Sequence, residues 1–175
     1  MRSLILTLVG PDRKGLVSGL AEQVAAAGGS WLESRMARMA GQFAGIVRVT
    51  LPERSAAALD GVLARLEAEG FRVAVLPGAA AVEDARDGVF ALELIGQDRP
   101  GIVRDISQAL ARRSVNIEEL TTDVISGSFS GEALFRATAR LRAPARVALE
   151  DIREELERLG NEMMVDIRVT TSVPA

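Results

Sequence analysis

Two eight-residue stretches carry most of the chemistry this chain can offer: Gly10, Pro11, Asp12, Arg13, Lys14, Gly15, Leu16, Val17, and then Gly96, Gln97, Asp98, Arg99, Pro100, Gly101, Ile102, Val103. Each sets a carboxylate and a guanidinium between two glycines, after an alternating apolar run and before an apolar pattern at helical spacing. The first N–H groups of a helix lack intrahelical acceptors and sit at the positive end of its dipole, so such a junction suits a small anion, for example a carboxylate. A zwitterionic amino acid needs those donors for its carboxylate and an acceptor for its ammonium a few ångströms away, a role open to Asp98 or to the Asn116 amide oxygen. The plainer alternative makes Asp12 and Asp98 ordinary helix N-caps, with Gly15 and Gly101 only easing the approach of the helix to the sheet.

Little else in the composition supports chemistry. The 175 residues include no cysteine, histidine or tyrosine, which removes thiolate nucleophiles, sulfur metal sites, the commonest general base and the phenol donor. No catalytic constellation, metal site or cofactor is expected. The formal charge of -3 argues against a phosphate-backbone binder, so direct nucleic-acid contact is not expected either. The apolar run before Gly10 and Pro11 is too short for a signal or membrane segment, so the expectation is a cytoplasmic protein with no membrane partner.

The loops must be positioned by the elements around them. Ser3–Val9 alternates as a strand, and Leu16, Val17, Leu20, Ala21 and Val24 mark a helix from Lys14 to Ala27, ended by Gly28 and Gly29. Ser30–Met39 and Phe43–Leu51 form a hairpin around Gly41. Leu59, Val62, Leu63 and Leu66 mark a second helix closed by Gly70, and Phe71, Val73 and Val75 a last strand. Pro77–Gly88 has no clear period and reads as a linker. The order then repeats, with strands at Val89–Ile95, Val115–Ile125 and Ser130–Leu141, a helix through Ile102, Val103, Ile106 and Leu110, and another through Leu149, Ile152, Leu156 and Leu159 ended by Gly160. The domains are therefore 1–76 and 89–172, joined by 77–88.

Gly10, Asp12, Gly15, Gly41, Phe43 and Gly45 align with Gly96, Asp98, Gly101, Gly127, Phe129 and Gly131 at an offset of 86, which predicts hairpins that superpose without gaps. Leu59, Val62, Leu66 and Gly70 align with Leu149, Ile152, Leu156 and Gly160 at an offset of 90, which puts four extra residues near Arg140–Arg146. A βαββαβ unit with right-handed crossovers folds as a four-stranded antiparallel sheet with two helices on one face, so the expected class is α+β, ferredoxin-like, present twice. The second strand of each unit is an exposed edge that invites pairing with another unit, so two halves, or two chains, can join sheets side by side, and a homo-oligomer is expected.

The motifs G-P-D-R-K-G-L-V and G-Q-D-R-P-G-I-V, each after an apolar strand, resemble the opening loop of the ACT domain family. Two copies fill the chain, and the arrangement with N-I-E-E-L at Asn116–Leu120 is similar to the glycine cleavage system transcriptional repressor family. The resemblance implies modules that bind small amino acids at interfaces between modules, with glycine favoured, and regulation through a partner protein in place of DNA contact. Carried over by motif, the ligand positions are Asp98, Arg99, Gly101, Ile102 and Asn116, and in the first half Asp12, Arg13, Gly15, Leu16 and Ser30. The first half departs from the pattern, with Ser30 and Trp31 in place of Asn116 and Ile117, and Lys14 in place of Pro100.

Other features have plainer readings. Arg136, Arg140 and Arg142 share strand parity and read as a solvated face, with a basic stripe as the alternative. Trp31 is expected in a core or interface, and Met36, Met39, Met163 and Met164 as gap-fillers in strand-like runs. Rival functions on this fold are an acylphosphatase-like hydrolase, made thinkable by Arg99 and Asn116 but lacking that family's glycine-rich loop, a constitutive protein-binding module without ligand, and an RNA-binding module. The last needs exposed aromatics on the central strands, and aromatics are only 3% of the chain.

Overall fold

The computed structural model describes residues 1–53, 56–78, 86–126 and 132–171, with 56–59 through the backbone only. The chain divides into two compact units, Met1–Ala81 and Val82–Ala175. The first contains β1 (Arg2–Pro11), α1 (Leu16–Ala26), β2 (Ser30–Met39), β3 (Gln42–Leu51), α2 (Ala56–Ala68) and β4 (Arg72–Pro77). The second contains β5 (Gly88–Gln97), α3 (Ile102–Arg112), β6 (Asn116–Ser126), β7 (Ala133–Ala143), α4 (Leu149–Met163) and β8 (Val165–Thr171). Each sheet is antiparallel with four strands, ordered β2-β3-β1-β4 and β6-β7-β5-β8. The α+β class and the duplicated ferredoxin-like order are thus as expected.

Strand alternation decides which face is covered. Leu4, Leu6 and Leu8 of β1 are buried against Leu16, Leu20 and Val24 of α1 and Val62 and Leu66 of α2, while Ile5, Thr7 and Val9 point the other way. In the second unit Phe90, Leu92 and Leu94 meet Ile102, Ile106 and Leu110 of α3 and Ile152, Leu156 and Leu159 of α4. One face of each sheet is therefore core and the other is open. Trp31 is half-buried against the first core, as is Met36. Met39 and Met164, however, are exposed, and Met163 is buried at the end of α4 instead of in a strand.

Two sequence expectations are corrected by the hydrogen-bond register. Gly10 pairs with Phe43, but Gly96 pairs with Phe135, not Phe129, so the second hairpin does not superpose on the first without a gap. Ser30 corresponds to Asn116 at offset 86 while Thr50 corresponds to Arg142 at offset 92, which places six extra residues in the connection between β6 and β7; Val73 corresponds to Ile167 at offset 94, so two more, not four, lie between β7 and β8. Gly127, Phe129 and Gly131, on which the gapless alignment rested, and Ser130, the expected start of the following strand, lie outside the described residues. The second correction concerns Gly160, which does not end its helix. It is a buried position where a Cβ would meet the Val165 carbonyl oxygen at 2.8 Å, and α4 stops at Met164, which takes a left-handed φ of 56°.

Candidate functional site

Each loop is built the same way. β1 ends at Pro11 and β5 at Gln97, and the next residue donates its backbone N–H to the hairpin opposite: Asp12 to the Gly41 carbonyl and Asp98 to the Ala133 carbonyl, both at 3.0 Å. The helices are then entered through Gly15 (φ 81°) and Gly101 (φ 96°), in the left-handed region that disfavours a side chain. Neither helix has a side-chain cap, so the N-cap reading of Asp12 and Asp98 is set aside. The first intrahelical bonds are Gly19 N–H to Gly15 and Asp105 N–H to Gly101, which leaves the N–H groups of the first turn at Leu16 and Ile102 without helical acceptors. Leu16 and Ile102 themselves point their side chains into the cores and contribute backbone only.

The side chains of the two loops differ. In the first, Arg38 holds Asp12 at 2.6 Å, and Arg13 is ion-paired with Glu69 while its guanidinium stacks 5.7 Å from the centroid of Phe71. In the second, Asp98 is exposed with no side-chain partner among the described residues, and Arg99 makes only a 3.8 Å approach to Asp105. The registers explain the difference. The counterpart of Arg38 on β6 is Val124, because Arg38 pairs with Phe43 and Val124 with Phe135. On the far edge Leu8 pairs with Val73 and Leu94 with Ile167, so Glu69 and Phe71 correspond to Met163 and Val165. Every clamp on the first loop is replaced by an apolar residue in the second. Sequence reasoning missed Arg38, Glu69 and Phe71 because they lie far along the chain from the loop they hold; their signal is a charge or ring in one copy without an equivalent in the other.

Asn116 and Ser30 do not join these loops within their own units. Asn116 pairs with Arg142 beside the Gly88 end of β5, whereas Asp98 follows Gln97 at the opposite end. Ten strand residues separate the two ends, on the order of 30 Å. Ser30 is likewise opposite Thr50, at the Arg2 end of β1 and away from Gly15. A site using both a loop and the start of the second strand thus needs them from different modules.

The arginines on β7 are not a basic stripe. A register irregularity between Ile117 and Glu119 lets Glu118 take Arg140 at 3.0 Å and Arg142 as well, and Asp123 takes Arg136 at 3.0 Å. Burial alone pushes the Glu118 carboxyl up, but the hydrogen bonds and the positive charges of Arg142 and Arg140 together outweigh it and hold it below its usual range. At the helices Glu155 is bonded by Arg112, Arg113 and Arg158; burial raises it, and those three bonds with the Arg158 charge lower it below its usual range.

A carboxylate depressed in the folded state takes up its proton at lower pH than in the unfolded chain. The stability it contributes is complete above the unfolded value of 4.5 and is lost as pH falls through the lower folded values. Urea midpoints should accordingly be level from neutrality to about pH 5 and fall below it, with Glu118→Gln and Glu155→Gln each weakening that fall. An acid limb unchanged in both variants would show that neither cluster is responsible.

The fold is a tandem of ferredoxin-like modules of a regulatory class. The family profile described as ACT domain matches residues 2–75 and 89–170, and the chain belongs to the ACT domain family. ACT domains generally bind small amino acids. A UPF0237 protein of Methanopyrus kandleri is 38% identical over 76 residues, 43% of this chain and 79% of the relative. A second UPF0237 protein, from Methanocaldococcus jannaschii, is 32% identical over 78 residues, 45% of this chain and 81% of the relative. A crystal structure of an unknown protein from Galdieria sulphuraria superposes with a TM-score of 0.85 at 28% identity, over 98% of this chain and 99% of that one. Another, named "putative glycine cleavage system transcriptional repressor", gives a TM-score of 0.71 at 18% identity over 99% and 98%, a likeness of fold. No helix among the described residues is long and apolar enough to cross a membrane.

Proposed function

We propose that this protein is an amino-acid-responsive regulator in which the loop of the second module, Asp98 to Ile102, holds one small amino acid per chain. The observation that carries this reading is Asp98, without a side-chain partner among the described residues, beside a glycine-entered helix, set against a first loop whose Asp12 and Arg13 are both engaged internally. The first-turn N–H groups take the carboxylate and Asp98 takes the ammonium. Glycine is favoured by the loop resemblance and by the name of the fold neighbour. Asn116, at the other end of its sheet, enters such a site from a second copy of the chain, in an oligomer joined through the exposed edge strands.

In this reading the modules are 1–76 and 89–172 with a linker at 77–88, and the protein is a cytoplasmic non-enzyme that represses through a partner protein without touching nucleic acid. Ligand binding changes that association only by favouring one state over another. Calorimetric titration with glycine, serine and alanine should give saturable binding with one site per chain. Asp98→Ala should weaken it by roughly tenfold or more, the worth of a hydrogen bond to a charged group, while Asp12→Ala leaves it unchanged. Two equivalent sites, or an unaltered affinity in Asp98→Ala, would rule out this assignment. No heat with any of the three would favour a constitutive protein-binding module.

A further inference from the structure

The open face of the second sheet carries a depression of about 520 Å³, in the size range of small-ligand sites and lined by none of the loop residues Asp98 to Ile102. Two cross-strand rows line it. In one, Thr138, Glu93 and Arg168 stand in line on β7, β5 and β8; in the next, Arg136, Ile95 and Asp166 do. Residues directly opposite across an antiparallel pair have Cβ atoms about 5 Å apart, so Glu93 and Arg168 are placed to form an ion pair. They form none, and Asp166 also has no charged partner among the described residues. Arg136 is engaged by Asp123. Three charged groups with unspent bonding capacity thus surround Ile95, which is 41% exposed.

The first module provides an internal control. By register, Glu93, Arg168, Asp166 and Ile95 correspond to Thr7, Ala74, Arg72 and Val9. The same open face in the same fold has no carboxylate there, so the fold does not require the charges.

From the charge count we infer the ligand. Asp123 and Arg136 neutralise each other, leaving two carboxylates and one guanidinium, and the complement is a molecule with one anionic and two cationic groups. We propose that this depression binds a free amino acid with a cationic side chain. Its α-carboxylate meets Arg168, which can take it through two parallel N–H bonds. Its α-ammonium meets Glu93, its methylenes lie over Ile95, and its distal cation reaches Asp166. Strand neighbours two residues apart are separated by about 6.7 Å, a spacing that an extended four-carbon side chain spans.

Calorimetric titration of the full chain with lysine and arginine tests this, with norleucine, which lacks the distal cation, and 1,5-diaminopentane, which lacks the carboxylate, as controls. Lysine or arginine should bind saturably and both controls should bind at least about tenfold more weakly. Arg168→Gln and Asp166→Asn, exposed substitutions whose folding far-UV circular dichroism verifies, should each weaken binding by a similar factor, and Asp98→Ala should not. No saturable binding, equal binding of either control, or a loss in Asp98→Ala that is absent in Arg168→Gln would overturn the proposal. Glycine binding at the loop is unaffected by Arg168→Gln, so this site and the loop site fail separately.

Discussion

Leu156→Ala is expected to destabilise the second unit by about 3 kcal/mol, within the range for emptying a fully packed leucine site. Leu156 is 1% exposed and lies in the Ile152, Leu156, Leu159, Met163 stripe by which α4 covers the sheet. The loss has two parts, the transfer of the leucine side chain and the cavity left where β5 and β7 cannot collapse onto it. The single tryptophan makes the effect assignable. Trp31 is in the first unit, so its fluorescence follows that unit, whereas far-UV circular dichroism follows both. In urea the dichroic transition should move to lower denaturant by an amount that dwarfs the shift in Leu120→Ala, whose side chain is already 44% exposed. Equal shifts in the two variants would contradict the assigned core.

Gly96→Ala should cost about 1–3 kcal/mol by overpacking, although it adds only a methyl group. A Cβ on Gly96 would lie 2.7 Å from the Cβ of Val165 and 2.9 Å from its Cα. The Val165 side chain can rotate, but those two atoms are fixed to the backbone, so β8 must move from β5 where the strand delivers the chain into the loop. The same substitution should therefore weaken glycine binding in the proposed second-module site. Adding Val165→Gly should recover part of the affinity, because it deletes the valine side chain from the clash while the backbone of β8 still crowds the new methyl group. Full stability in Gly96→Ala would show that the seam is looser than these distances require.

The two loops are legible in sequence because a repeat doubles the signal: Gly15 and Gly101 recur at one offset and both enter a helix with positive φ. The elements follow from alternation in β1 and β5 and from helical spacing in α1, α3 and α4. Other features depend on which strand ends meet, and linear spacing is silent on that. Asn116 follows α3 closely in sequence, yet the helix has carried the chain back to the far end of the sheet. The hairpin offset is misread from spacing because Phe129 and Phe135 are both plausible mates for Gly96, and only the register selects Phe135. Gly160 imitates a helix stop in sequence, but its missing side chain serves close packing against β8. The arginines of β7 resemble a stripe because the irregularity that turns Glu118 towards them breaks strict alternation.

The engagement of Arg13 by Glu69 and Phe71, and of Asp12 by Arg38, has a quantitative corollary. If one of two homologous loops is closed by its own neighbours, a single chain titrates with its loop ligand along a hyperbola, and no second loop within it can sharpen the curve. A steep switch over a narrow concentration range then requires coupling between chains, with a Hill coefficient bounded by the number of copies assembled. In the proposed reading the engaged first loop leaves one loop site per chain, so the number of copies that assemble sets the ceiling on sensitivity.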